Sequence, residues 1–285
     1  MSASLLLAAV LTATAVPKSL PQGGIAALTV ASDTPLSGLT LVEGERRVAL
    51  ERDPSGRTFR GIFGVDLDAA TGALEILLEP GDGGAPLVLP VTVLRGHFRV
   101  QKLTVDPKYV EVPPEEQERV KEDAARVHAA YAGGEPTRRW TSFARPVAAE
   151  GRNFGARRVY NGATKSFHSG LDMAAPAGTR VTAAADGRVA LAGDLYFSGG
   201  TVLLDHGGGL FTQYFHLSRV DVKDGDVVRK GAVLGLVGAT GRVTGPHLHW
   251  GARWNGARVN PEALLALPAW PEPPTPPPPA PAGLH

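Results

Sequence analysis

Three short segments in the second half of the chain carry residue types that bind metals and transfer protons. "TGPHLHWG" contains His247 and His249 two positions apart, "FHSGLDMAAPAG" contains His168 and Asp172 four positions apart, and "QYFHLS" contains His216. Neutral imidazole is the commonest protein ligand for zinc and also the usual general base near neutral pH. These residues therefore point to metal binding, to acid–base chemistry, or to both.

The segment "HLH" favours one local geometry. In a β-strand the side chains at positions i and i+2 point the same way, so His247 and His249 would share one face and Leu248 the other. Each of the three motifs alone is weak, because short motifs often match by coincidence. The joint observation is stronger, since four of the eight histidines fall in these motifs within residues 141–267.

A catalytic zinc site has three protein ligands and keeps a fourth position open for water. The chain has no cysteine, so thiolate ligands, thiol nucleophiles and disulfides are excluded. Two histidines and Asp172 would supply the three ligands, and the remaining two histidines could act on the water. Spacing alone does not decide whether His247 or His249 would bind the metal.

Composition and patterning predict a mainly β protein of about two domains. Residues 17–110 alternate short apolar runs with Gly, Pro and Asp, which predicts an N-terminal β-sandwich. Residues 111–140 contain helix start and stop residues and predict a helical linker that packs on a domain. Residues 141–267 are rich in glycine and alternating Val and Leu, and predict a second all-β domain. Residues 268–285 are proline-rich and predict a disordered tail.

Residues 1–16 predict a signal peptide. Their apolar run is too short to span a bilayer as a helix, and "ATA" at Ala13–Ala15 is typical of a cleavage site. No basic residue precedes the run, and a mis-assigned start or a buried first strand would explain it equally well. We expect an exported protein without stable membrane insertion after cleavage.

The net charge of +1 does not indicate a nucleic-acid binder. Residues 141–267 carry fourteen basic and nine acidic residues, which would mildly attract an anionic partner.

The segments "HSGLD", "YFHLS" and "VGATGRVTGPHLHWG" resemble, in this order, those of the M23 or lysostaphin/LytM-type zinc metallopeptidases. The segments "FGARRVYNG" and "AAPAGTRVTAAADGRV" add to the resemblance, which covers about residues 140–267. It implies an M23/LytM-like all-β catalytic domain with Zn²⁺ as cofactor. It also implies His168, Asp172 and His249 as zinc ligands, with His216 and His247 as the catalytic pair.

The resemblance further implies a zinc endopeptidase that hydrolyses the peptide cross-links of peptidoglycan by attack of metal-activated water. Its partners would be peptidoglycan peptide stems, with no nucleic acid, and its location periplasmic, cell-envelope or secreted. The alternative is a non-catalytic wall-binding protein or an activator of a separate hydrolase, although such relatives usually lack one or more of these five residues. A biotinyl- or lipoyl-type carrier domain is a third hypothesis, but no hairpin lysine is evident.

The other histidines are expected outside the site. His206 precedes a glycine turn and is interpreted as structural, as is His97. His128 lies in the predicted helix and should face solvent, while His285 is uninformative.

Three further residues have open roles. Arg157 and Arg158 could contact substrate carboxylates or could be solvated loop residues. Some members of the resembled family have a tyrosine six residues before the first ligand. That position is Gly162 here, and Tyr160 lies two residues further away, so stabilisation of an oxyanion by tyrosine stays open.

Overall fold

The structure, a computed structural model, describes residues 9–162 and 164–271 and consists mostly of strands, as the sequence predicts. The strands of the first half, β1 to β10 in chain order, are Leu11–Val16, Ser19–Pro21, Ile25–Ser32, Leu39–Glu43, Arg46–Ala49, Glu51–Arg52, Thr58–Gly64, Gly72–Pro80, Leu87–Leu94 and Val100–Leu103.

One α-helix among the described residues, α1 at Gln117–Ala132, connects the halves. The strands of the second half, β11 to β22, are Gly151–Arg152, Arg157–Tyr160, Thr164–Phe167, Gly170–Met173, Arg180–Thr182, Gly187–Leu195, Gly199–Asp205, Leu210–Val220, Val227–Val228, Val233–Val237, Leu248–Trp254 and Ala257–Val259. A short 3-10 helix follows at Pro261–Ala266.

The first half is the predicted sandwich. One sheet has the strand order β1-β3-β7-β6 and the other β2-β9-β8-β4-β5. Val30 and Phe59 from the first sheet share one core with Leu41, Ile76 and Val91 from the second. All five are 2% exposed or less, which is expected where alternate residues of two facing sheets point inward.

The segment predicted as a signal peptide contributes to this sandwich. Residues 11–16 form β1, which pairs antiparallel with β3 along its whole length, and Ala15 is buried in the core. The structure therefore shows, for this part, the first strand that the sequence left open as an alternative. Residues 1–8 lie outside the described residues, and cleavage stays a prediction.

The second half is built on a larger antiparallel sheet with the central order β11-β14-β21-β18-β17-β16-β19. Its main core contains Met173, Val202, Tyr214, Leu248 and Trp250, which are all fully buried. In this order β14, β21 and β18, which carry Asp172, His249 and His216, are neighbours in the sheet.

A strand from the end of the N-terminal region joins the second half. Strand β10 leaves the sandwich and pairs in parallel with β12, which pairs with β13. The side-chain amide of Asn161 reinforces this joint, because it makes two hydrogen bonds of 3.0 Å with the backbone of Val105. The end of the N-terminal region is therefore part of the second half.

Helix α1 packs on the outer side of the second half, in agreement with the prediction. Val127 and Tyr131 contact a small core that contains Leu191 and Leu203. His128 is exposed, as expected.

No helix within the described residues is long and apolar enough to cross a membrane.

The two halves share a hydrophobic core. Trp254 and Val259, from β21 and β22, belong to the same buried cluster as Phe63 of the sandwich. An ion pair of 2.6 Å between Asp66 and Arg258 also joins the two halves.

Residues 268–271, at the start of the segment predicted to be disordered, pack against the rest of the protein. Trp270 packs against Trp140 with ring centroids 5.1 Å apart, and the Arg138 guanidinium lies 5.1 Å from the Trp270 ring. An aromatic side chain among the prolines anchors this segment. Residues 272–285 lie outside the described residues.

Candidate metal centre

The register of three neighbouring strands places the candidate ligands in one row. Asp172 on β14 lies opposite His249 on β21, and His249 lies opposite Phe215 on β18. Directly opposed residues share a face of the sheet, so these side chains point the same way. The Phe215 ring stacks on His249, with centroids 5.0 Å apart and planes 3° apart, and fixes the orientation of the imidazole.

One nitrogen from each of two imidazoles and one carboxylate oxygen converge at this row. His168 Nε2 lies 2.9 Å from His249 Nδ1 and 3.0 Å from Asp172 Oδ1. His249 Nδ1 lies 3.6 Å from the same oxygen, and the three candidate ligand atoms all lie within 4.8 Å of one another.

Backbone carbonyls hold the far side of three of the rings. The Nδ1 atoms of His168, His216 and His247 lie 2.8, 2.9 and 2.8 Å from the carbonyl oxygens of Asn153, Thr240 and Gly245. A carbonyl only accepts, so Nδ1 carries the hydrogen of each neutral ring, and Nε2 presents a lone pair. Such outer contacts are typical of metal-binding histidines.

This donor set fits a metal ion. His168 Nε2 and Asp172 Oδ1 face each other with lone pairs at 3.0 Å, and Asp172 Oδ1 is buried without a hydrogen-bond donor among the described residues. Two facing lone pairs repel unless a cation lies between them. Two imidazoles and one carboxylate are a common ligand set for catalytic zinc.

The "HLH" segment behaves as its alternation predicts. Leu248 and Trp250 are fully buried on one side, while His247 and His249 face Asp172 on the other. His247 lies just before β21 in a bridge to Gly238, and its Nε2 is 3.3 Å from Asp172 Oδ1. Both histidines thus reach the carboxylate.

His216 reaches the site through an irregularity in β18. Phe215 already faces His249, so a regular strand would turn His216 to the opposite side. The register between β17 and β18 shifts at this point, and His216 has a φ of 67°, in the left-handed region. The bulge re-aims the side chain, so that the His216 and His247 ring centroids are 5.0 Å apart.

Burial and neighbouring ionisable groups together shift the pKa values of the site residues. Burial alone would raise the pKa of the Asp172 carboxyl, but the imidazoles of His168, His247 and His249, when protonated and donating to it, hold it well below its usual range. Burial lowers the pKa of His249 to about 4 and, together with the neighbouring His249, lowers that of His216 well below its usual value. Burial also acts to lower the pKa of His247, but the adjacent Asp172 outweighs it and raises this pKa.

Arg158 is a functional candidate whose role sequence reasoning left undecided. Its guanidinium pairs with Asp172 Oδ2, and its Nε lies 3.2 Å from Gln101 Oε1 on β10. The side chain is only 13% exposed, so it is not a solvated loop residue. Arg157, by contrast, is exposed.

The remaining histidines lie elsewhere. His206 is fully buried, and its ring nitrogens lie 2.7 Å from the Asp186 carbonyl and the Thr212 hydroxyl, in agreement with a structural role. His97 is exposed, and its structural role stays a prediction. His285 lies outside the described residues.

Tyr160 is 4% exposed, and the Arg242 guanidinium lies 4.4 Å from the centre of its ring.

Comparison with known proteins agrees with this geometry. Residues 166–261 match peptidase family M23. The DD-carboxypeptidase/endopeptidase Mpg of Neisseria meningitidis is 49% identical over 105 residues, which cover 37% of this chain and 24% of the relative. The peptidoglycan DD-endopeptidase ShyC of Vibrio cholerae is 42% identical over 114 residues, which cover 39% and 26%. The matched segment thus spans about a quarter of each relative's length.

A solved structure extends the similarity over both halves. The crystal structure of a candidate M23 peptidase from Pseudomonas aeruginosa is 31% identical, covers 86% of this chain and 94% of its own, and superposes with a TM-score of 0.65. The convergence of the site residues agrees with the family match and with this nearly full-length similarity. The chain therefore belongs to peptidase family M23.

Proposed function

We propose that the protein is a zinc-dependent endopeptidase that hydrolyses peptide cross-links of peptidoglycan. The observation that carries the proposal is the convergence of His168 Nε2, Asp172 Oδ1 and His249 Nδ1 with no donor hydrogen between the first two. The names of the relatives support the substrate, since they describe a peptidoglycan DD-endopeptidase and a DD-carboxypeptidase/endopeptidase. A cell-wall substrate also supports a location outside the cytoplasm.

His168, Asp172 and His249 would hold the zinc ion. When bound, zinc would polarise the scissile carbonyl and lower the pKa of a water molecule to about 7. Asp172 brings a negative charge, because its carboxyl stays ionised throughout the neutral range.

His216 is suited to act as the general base. The Thr240 carbonyl fixes its tautomer, so Nε2 is free to accept a proton, and its lowered pKa keeps the ring neutral. In hydrolysis the water oxygen bonds to the carbonyl carbon, the carbon–nitrogen bond breaks, and the proton passes to the leaving amine.

His247 completes the proposed catalytic pair. Its ring lies beside that of His216 on the same side of the sheet, and the Gly245 carbonyl orients it. In its protonated form Nε2 could donate to the oxygen on which charge develops. The two rings would thus orient the water and stabilise the transition state together.

Digestion of purified peptidoglycan tests the proposal. The zinc-loaded protein should remove cross-linked muropeptide dimers, and the product masses identify the bond that is cut. His216→Ala should reduce the rate about a hundredfold or more, since general bases contribute in that range. His128→Ala, an exposed histidine on α1, is the matched control and should retain full activity.

Metal removal gives an independent check. A chelator should abolish turnover, and stoichiometric zinc should restore it. If the dimers persist with a zinc-loaded parent, or if His216→Ala digests them at the parent rate, the proposal fails. Full biological activity of His216→Ala would favour the wall-binding or activator alternative.

A further inference from the structure

A cationic cleft opens beside the metal centre. It has a volume of about 400 Å³ and is lined by His97, Arg99, Arg152, Asn153, Phe154 and Ala156. We call it the arginine cleft. None of the roles proposed above for the site involves its charged side chains.

The sheet register places this cleft next to the candidate ligands. Arg152 on β11 lies directly opposite Asp172 on β14, so both side chains leave the same face of the sheet on adjacent strands. Adjacent strands are only about 5 Å apart. On the same wall, next to Arg152 in the chain, the carbonyl of Asn153 holds His168 Nδ1 at 2.8 Å. A ligand group in the cleft would therefore lie close to the bond being cut.

The arginines of the cleft lack acidic partners. Arg99 and Arg152 are exposed, and neither forms an ion pair with any acidic group that the structure describes. Asp172, the nearest acid in the register, already engages Arg158. Exposed guanidinium groups without a partner are suited to bind a carboxylate with two parallel hydrogen bonds.

The two walls are fixed to each other although they come from different halves of the chain. The Phe98 and Phe154 rings pack edge to face with centroids 6.4 Å apart. The Arg157 amide donates to the Arg99 carbonyl at 2.8 Å. The segment after β9 in the N-terminal region therefore supplies His97 and Arg99, while the second half supplies Arg152.

We propose that the arginine cleft is a substrate subsite that binds a free carboxylate on the residue flanking the scissile amide. The inference rests on the proposed function, since it names a feature of the peptide that this centre would cut. It assigns the N-terminal region a direct part in substrate recognition. It also makes Arg152 and Arg99 the determinants of selectivity for acidic over amidated peptides.

Binding to an inactive background tests the subsite without turnover. Two synthetic fluorescent cross-linked peptides would be compared, identical except that the flanking carboxylate is free in one and a carboxamide in the other. Anisotropy titrations would use the full-length, zinc-loaded His216→Ala protein. We expect the free acid to bind about tenfold more tightly than the amide, the scale of a hydrogen-bonded charge pair.

Variants in the same background locate the preference. Arg152→Ala should reduce the ratio of the affinities for acid and amide to a value between about 1 and 3. Arg99→Ala and Arg152→Lys should each retain part of the preference for the acid. The double Arg99→Ala/Arg152→Ala variant should abolish this preference. Lys223→Ala, which removes an exposed cation from the turn before β19, should keep the full ratio. Thermal melting confirms that each variant is folded.

The outcomes separate this inference from the proposed function. Equal affinity for acid and amide, or a preference that survives the double variant, overturns the subsite. If the protein with His216 intact cleaves both peptides equally well, the subsite fails and the function stands. If the preference depends on Arg152 but neither peptide is cleaved, the subsite stands and the function fails. If neither peptide binds, both the subsite and the proposed function are overturned.

Discussion

At the scale of single residues, backbone carbonyls rather than acidic side chains orient the histidines of the centre. Asn153, Thr240 and Gly245 each hold one ring through its Nδ1. Two neighbouring backbone hydrogen bonds, between His168 and the Gly155–Ala156 segment, add to this support. The geometry of the centre therefore depends on the loops that carry these carbonyls.

Arg158 is the side chain that supports the candidate carboxylate ligand Asp172, and we predict that it acts as a positioning residue. It occupies Asp172 Oδ2 and leaves Oδ1 to face the two imidazole nitrogens. Arg158→Ala should weaken zinc binding about tenfold, as is typical for loss of an outer contact to a ligand, and Arg158→Lys should restore part of the affinity. Competition with a zinc-chelating fluorophore measures the dissociation constant. An unchanged constant in Arg158→Ala would refute the role.

The sequence predicted some of these residue roles and could not predict others. The shared face of His247 and His249 follows from strand alternation, which depends only on neighbours in the chain. The position of His216 depends on a bulge against β17, and that of Arg158 on Gln101, 57 residues earlier. Such long-range contacts leave no local pattern in one sequence.

At the scale of elements, the close approach of β14 and β21 determines where the candidate ligands Asp172 and His249 lie. Gly170 begins β14 opposite Gly251, and a Cβ atom at Gly170 would come within 2.5 Å of His249 Nε2 and 2.7 Å of the Trp250 carbonyl. The strand can pass His249 at this distance only because residue 170 has no side chain.

Gly170→Ala should therefore displace the His249 ring. We expect zinc affinity to fall about tenfold or more, with a loss of stability of about 1–3 kcal/mol from overpacking. Zinc titration and urea unfolding of the metal-free protein measure the two effects separately. Gly38→Ala, where the added Cβ would meet no atom within 4 Å, is the matched control and should change neither. Normal zinc affinity in Gly170→Ala would contradict the assignment of His249 as a ligand.

Element prediction succeeded where local composition dominates. Alternating apolar runs identified the sandwich, and the acids, alanines and terminal glycines between residues 113 and 134 identified α1. Local composition gives no signal for the joint between the halves, because β10 pairs with a strand 57 residues later. It also gives no signal for the packing of Trp270 on Trp140.

At the scale of the whole molecule, the two halves are coupled by charge as well as by apolar contact. Arg258 binds Asp66 through its backbone amide and through both ends of its guanidinium, at 2.8, 3.1 and 2.6 Å. Burial alone would raise the pKa of Asp66, but these hydrogen bonds outweigh it and lower the pKa to about 2.

This pairing predicts a pH-dependent loss of stability. A carboxyl with a lowered folded-state pKa stabilises the fold above its unfolded pKa, near 4, and this stabilisation is lost as the pH falls from about 4 to about 2. Because Asp66 is partly exposed, the effect should be about 1 kcal/mol. Urea unfolding at pH 5 and pH 2.5 should show a smaller decrease for Asp66→Asn than for the parent, while Asp221→Asn behaves as the parent. Parallel decreases would refute the coupling.

The buried contact between Gly64 of β7 and Val259 of β22 has a consequence for the exchange of domains between proteins. A Cβ at position 64 would meet the Val259 side chain at 2.7 Å, so each half is shaped to the surface of the other. If the second half were fused to the β-sandwich of another protein, Trp254 and Val259 would be exposed to water unless that sandwich had a strand equivalent to β7. In hydrogen exchange, the amides of β7 and β22 should therefore open in the same cooperative unit. Recombination would have to transfer the two halves together.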